Sequence, residues 1–313
     1  MTEVQGELSA GVVSETRCYP WRWRGREAAM VKDRPLAIAY DVRGAGLSLL
    51  LLPAFSSIST RAELGGLAVE LAQHYRVITL DWLGFGESAR PAGCSRPTIY
   101  QAMLNDFVRD VVPEVAGVVA CGHSAGYTLG LAAQGGVPGL RAIALVAPTW
   151  RGPLPTAIGE RRRIYALLRW LVWSPLLGQG LYALNAHPAF LRWMMGRHVY
   201  SDAAFITPEL MQAKHQTTQF PGARFASAAF VTGGLDPVQR RTDWLDLIES
   251  TTVPKLAIAG QQTPPKSGAE MEMLKAMAGV QWATVPGSLA AHEESSKAVL
   301  ENLKPFLKEH LGK

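Results

Sequence analysis

Two periodicities alternate along this chain. Continuous apolar runs predict buried strands at "SLLLLPAF" (48–55), "YRVITLDW" (75–82), "GVVACGHS" (117–124), "LRAIALVAP" (140–148), "VPKLAIAG" (253–260) and "VQWATVPG" (280–287). Between them, apolar residues recur three and four positions apart, which predicts helices over 63–74, 98–112, 125–134 and 293–311. This alternation is the pattern of an α/β protein, with a mostly parallel, doubly wound sheet of about eight strands and helices on both faces. It stops after Pro148. Residues 149–250 read as helical, rich in Trp and Arg, with no clear strand. The expected organisation is therefore a core of residues 1–148 and 251–313, interrupted by a helical cap over 149–250. Such an insertion belongs over the carboxyl edge of the sheet, where open α/β folds keep their sites.

Composition narrows the picture. With 313 residues, 48% apolar and 18% charged, the chain is long enough for one large domain with an insertion and too apolar for general disorder. Cys18, Cys94 and Cys121 form no CxxC pair, so neither a disulfide framework nor a zinc site is expected, and no metal or organic cofactor is implied. The polar amino end has no apolar leader core, and the expected location is the cytoplasm. The net charge of +5 is concentrated: residues 151–200 hold seven arginines against Glu160 alone. No base-reading or phosphate-cradling motif accompanies this charge, so nucleic acid is not the expected partner.

The candidate chemistry is "GHSAG" (122–126). It follows an apolar strand and opens a helix, the setting in which a serine is held on a sharp turn with its hydroxyl exposed. The helix amino terminus would then direct N–H groups at charge developing beside Ser124. A serine hydroxyl needs a neighbouring base to become a nucleophile, which directs attention to the histidines.

On "GHSAG", "LDWLGFGESARP" (80–91), "LLLLPAF" and the strand–cap–strand order, the chain resembles the α/β-hydrolase fold superfamily over roughly residues 17–310. "WRWRGREAAM…AIAYDVRGAG" (21–46) is similar to the amino-terminal hairpin of lid-bearing cyanobacterial and plastid members. The resemblance implies Ser124 as nucleophile, with the Phe55 and Ala125 N–H groups as oxyanion hole. Pro53 and Ala54 stand where most members have His-Gly. The usual acid position holds Thr263, which leaves Asp236 as the candidate acid. The usual histidine position, five residues before Glu294, holds Leu289. His292 follows three residues later, either as the base or as a residue of the last helix's first turn, beside Glu293 and Glu294.

The cap sequence 161–200 sets Trp170, Trp173 and Trp193 among Leu, Val, Met and Arg. Its aromatics suit packing on the sheet below, and its mixture of Trp and Arg also suits a membrane surface. An apolar pocket is expected beneath it, with Ala54, His123, Trp150, Trp170 and Trp173 as substrate-binding candidates. The leading expectation is a serine hydrolase that cleaves a carboxylic ester of a hydrophobic molecule through an acyl-enzyme on Ser124. The alternatives are a catalytically degenerate protein that binds a lipid or pigment, and a lyase or isomerase of the same fold.

Overall fold

Among the described residues, eight strands form one sheet: β1 (Ser14–Arg22), β2 (Pro35–Arg43), β3 (Ser48–Leu52), β4 (Arg76–Leu80), β5 (Val115–Cys121), β6 (Ala142–Val146), β7 (Lys255–Gly260) and β8 (Val280–Val285). Their spatial order is β1-β2-β4-β3-β5-β6-β7-β8. The first two pairings, β1 with β2 and β2 with β4, are antiparallel, and the rest are parallel. The computed structural model describes residues 14–25, 34–135, 137–159 and 161–312. The polar amino end read for targeting lies largely outside these residues, as does the turn of the amino-terminal hairpin.

The central strands are continuous apolar runs because helices cover both of their faces. Alternation along each strand divides the core in two. Leu50, Leu52, Val118 and Ala120 face one side, with Trp82 and the helices α2 (Pro97–Val111) and α3 (Ser124–Ala133). Leu49, Leu51, Val119 and Cys121 face the other. There they meet α1 (Gly65–Leu71) and α13 (Ser296–Leu311).

The stretch expected to form one helix over 63–74 divides. Arg61–Leu64 is a 3-10 turn, opened by the Thr60 side chain accepting from the Ala62 N–H, and α1 begins only at Gly65. Two successive glycines, poor helix formers, mark the break, and the turn leaves Glu63 buried.

Among the described residues, seven α-helices and two short π and 3-10 turns lie between β6 and β7, and no strand is found there. The α-helices are α4 (Pro153–Ile158), α5 (Arg162–Trp173), α6 (Gly178–Asn185), α7 (Pro188–Met194), α8 (Pro208–Thr218), α9 (Ala223–Val231) and α10 (Arg241–Ser250). After β7 come α11 (Pro265–Glu272) and, following β8, the short α12 (Ala291–Glu294). The inserted helices bond to loops at the carboxyl ends of the strands. The Thr217 hydroxyl donates to the Ser57 carbonyl at 3.3 Å, and the Tyr200 hydroxyl to Glu293 at 2.6 Å.

The loop after β4 is fixed by a buried carboxylate. Asp81 accepts from the N–H groups of Arg61 (2.6 Å) and Glu87 (2.8 Å) and pairs with the Arg61 guanidinium. Gly86 has φ +52°, and a Cβ there would lie 2.0 Å from Asp81 Cγ. Gly86→Ala is therefore expected to lower the unfolding free energy by more than about 2 kcal/mol, read as a lower urea midpoint with an unchanged slope.

Candidate functional site

The bend between β5 and α3 decides what "GHSAG" can do. A nucleophile elbow puts its reactive residue at the strained point of the turn. In this chain that point is Gly122, with φ +54°; among the described residues Ala147 alone has a positive φ without being glycine. A Cβ on Gly122 would sit 3.1 Å from the Ala54 Cβ, and the Thr149 hydroxyl is 4.0 Å away. The apex of the bend thus faces the loops after β3 and β6 and carries no side chain.

Ser124 lies two residues further on, as the first residue of α3, and is fully buried. Its hydroxyl donates to the Pro53 carbonyl and accepts from the Trp82 indole N–H at 2.9 Å. The same indole N–H also reaches the Pro53 carbonyl, at 3.1 Å. The serine therefore ties the start of α3 to the loops after β3 and β4. The Ala125 N–H, expected in the oxyanion hole, donates to the Gly122 carbonyl at 3.3 Å within the first helical turn. Phe55 is buried against Phe85 (5.5 Å, stacked) and Trp82 (4.8 Å, edge-on).

His292 is not brought to Ser124. The Ser124 hydroxyl packs on the Trp82 side of the sheet, whereas His292 lies with Cys121 on the opposite side. Its Nε2 is 3.2 Å from Glu63 Oε1, and the Cys121 thiol adjoins the ring. Burial disfavours its cation, but Cys121 and Glu63 outweigh burial and hold its pKa well above the usual value. Burial likewise opposes ionisation of Glu63, yet His292, Lys214 and the Ala54 N–H keep it below its ordinary range. That N–H donates to Glu63 at 2.8 Å, and Lys214 of α8 lies 3.9 Å from Glu63 and 2.9 Å from Glu293. The sequence reading missed Glu63 and Lys214. Glu63 sits in an ordinary helical pattern 229 residues before His292, and no spacing rule joins them.

Asp236 does meet a histidine, but it is His123. Its Oδ1 lies 3.4 Å from His123 Nε2 and accepts from the Gly152 N–H at 2.8 Å. His123 Nε2 is also 3.0 Å from the Leu235 carbonyl, which can only accept, so Nε2 carries the proton. His123 Nδ1 is buried with no hydrogen-bond partner among the described residues. Burial lowers the His123 pKa to about 4 and raises that of Asp236 to about 7.

The remaining positions are apolar or inert. Thr263 turns its hydroxyl back to the Gly260 carbonyl at 2.7 Å. Leu289 packs with Ala147, Ala259 and Met271. Glu294 binds the backbone N–H groups of Ser288 (2.6 Å) and Ser201 (2.8 Å), fastening the insertion to the loop after β8. Ala54 is half-buried at the bend. Trp150 is buried, its N–H donating to Glu270 at 3.1 Å, and Trp173 donates to the Phe225 carbonyl at 2.9 Å. Trp170, expected over the substrate, faces solvent at 63% exposure because it lies on the outer side of α5. A 530 Å³ groove between α2, α3 and α10 is lined by Gln101, Tyr127, Pro237 and Leu247, and Ser124 is not among its lining residues. No group of His, Cys, Asp and Glu suited to a metal ion occurs among the described residues.

A sequence profile of the Alpha/beta hydrolase family matches residues 44–301. The chain belongs to the α/β-hydrolase family. Solved structures agree on the fold. A bromoperoxidase from Bacillus anthracis superposes with TM-score 0.69 at 16% identity, covering 88% of this chain and 97% of its own. A thermophilic esterase from Thermogutta terrifontis gives 0.68 at 20% identity, covering 88% and 95%. A haloalkane dehalogenase from Agrobacterium tumefaciens C58 gives 0.67 at 16%, covering 94% and 96%. A search of curated proteins finds no match. Members of this family are mostly hydrolases.

Two consequences can be measured. Ser124→Ala removes a buried hydroxyl that serves Pro53 and Trp82, and is expected to cost about 1–3 kcal/mol of stability in urea unfolding; an unchanged midpoint would place the hydroxyl elsewhere. Asp236, raised in the fold, contributes stability that is fully present below its unfolded pKa near 4. That contribution is lost as pH rises through about 7. His123, lowered in the fold, acts oppositely between about 4 and 6.5. Relative to wild type, Asp236→Asn should therefore gain stability between pH 5 and pH 8, measured by unfolding at both values.

Proposed function

We propose that this α/β-hydrolase family member works by binding a hydrophobic molecule, of lipid or pigment class, rather than by cleaving an ester through Ser124. One observation carries the reading: the apex of the elbow is Gly122, while the Ser124 hydroxyl is sealed between Pro53 and Trp82. The residues at the family's acid and base positions support it. Thr263 and Leu289 cannot orient or accept a proton as a carboxylate and an imidazole do, and His292 is engaged with Glu63 across the sheet. Ester hydrolysis through Ser124 is what the motif alone favours. It would require the serine to leave two hydrogen bonds and find a base. The 530 Å³ groove between α2, α3 and α10, with Tyr127, Pro237, Val238 and Leu247 in its lining, supports a hydrophobic ligand.

A second reading has its own observation. His292 lies between the Cys121 thiol and the Glu63 carboxylate, and Cys121 immediately precedes the apex residue Gly122. With the inserted helices displaced, this set would serve proton transfer or thiol chemistry without any serine.

The test is labelling of wild type, Ser124→Ala and Cys121→Ala with a fluorophosphonate and with iodoacetamide, alongside organic extraction of the freshly purified protein. The binding reading expects no fluorophosphonate adduct and a co-purifying hydrophobic compound. A Ser124-dependent adduct with ester turnover would overturn it. Cys121-dependent alkylation of the native protein would transfer the case to the second reading.

A further inference from the structure

The outer surface of the insertion is unlike the rest of the molecule. Among the described residues, every large apolar side chain standing clearly in solvent lies between Ile158 and Phe220. They follow helical spacing. On α5, Leu167 (56% exposed) and Trp170 (63%) are three apart; along the turn into α6 and α6 itself, Leu177 (61%), Leu181 (41%) and Leu184 (72%) are four and three apart. On α7, Trp193 (57%) lies beside Phe190, with ring centroids 5.6 Å apart and the rings tilted at 38°. Isolated exposed leucines are ordinary, but a contiguous series on consecutive helices marks an interaction surface.

The charges beside this surface choose the partner. Residues 161–200 contain six arginines and neither Asp nor Glu. Arg161, Arg163, Arg192 and Arg197 are exposed. Covering the face with a second copy of the chain would set these arginines against their equivalents. An anionic lipid surface satisfies both features, taking Leu and Trp into the acyl boundary and holding guanidinium groups at the headgroups. Spanning is not available: α5 has 12 residues, roughly 18 Å of helix against a hydrocarbon core of roughly 30 Å. No helix among the described residues is long and apolar enough to cross a membrane.

We infer that α5, α6 and α7 form a docking face that lies in the surface of an anionic bilayer, with Trp170, Leu177, Leu184 and Trp193 inserted. This stands apart from the fate of Ser124, since a hydrolase and a binding protein could dock alike.

The experiment is co-sedimentation of the full chain with vesicles of pure phosphatidylcholine and of phosphatidylcholine with 30% phosphatidylglycerol. Binding is expected to the anionic vesicles and to weaken with added salt. Leu177→Glu with Leu184→Glu is expected to reduce it at least about tenfold, and Arg161→Glu with Arg163→Glu by a similar factor. All four positions are exposed, and far-ultraviolet circular dichroism checks that the variants fold. The inference fails if wild type ignores anionic vesicles, or if binding survives the leucine substitutions. It fails equally if light scattering shows the leucine face buried in a dimer that no vesicle competes with.

Discussion

The backbone bends once, sharply, at the end of β5, and the residue that takes the bend decides which side chain stands at the apex and which is turned inward. Gly122 takes it, at a positive φ that costs glycine little and other residues more. The register of α3 follows. Ser124 falls at the first helical position and must be small, because the Pro53 carbonyl and the Trp82 indole close over it. Buried polar groups are costly unless paired, and here the hydroxyl, the carbonyl and the indole N–H satisfy one another. The same bonds that make the serine structurally useful bury it and occupy its hydroxyl.

On the other side of β5, the ionisable residues have been gathered into a seam between core and insertion. Glu63 and His292 come from the core, Lys214 and Tyr200 from the insertion, and Glu293 joins them. Opposite charges alternate through this seam, which offsets the desolvation that each would suffer alone. Removing one partner would leave another buried and uncompensated. The seam therefore fastens the inserted helices to loops at the carboxyl ends of the strands, and near α9 a buried, uncharged contact between His123 and Asp236 joins the elbow to the return of the insertion. An insertion fastened by its inner face is free to use its outer face, where the exposed leucines, tryptophans and arginines stand.

The positions of β3 to β8 were legible in the sequence, because parallel strands covered on both faces read as continuous apolar runs, whereas the antiparallel β1 and β2, largely exposed in β1, carry no such run. The loss of those runs after Pro148 corresponds to the strand-free stretch between β6 and β7 among the described residues. The helical break at Gly65 was less so, since apolar spacing continues through it and only the paired glycines mark it. "GHSAG" was legible as a strand-to-helix turn, and family membership followed from it and its neighbours.

What sequence could not decide was which of five consecutive residues takes the strained backbone angle. Two glycines flank the serine, so the motif admits a bend at Gly122 as readily as at Ser124, and the choice depends on how Pro53, Ala54 and Trp82 pack around the turn. Nor could sequence assign partners to the histidines. Glu63 and His292, or His123 and Asp236, are far apart in the chain and meet through sheet topology and the return of the insertion. Local periodicity determined the elements because it is a property of neighbouring residues. Long-range packing alone determined which polar groups face one another, and that is where the chemistry of this protein is settled.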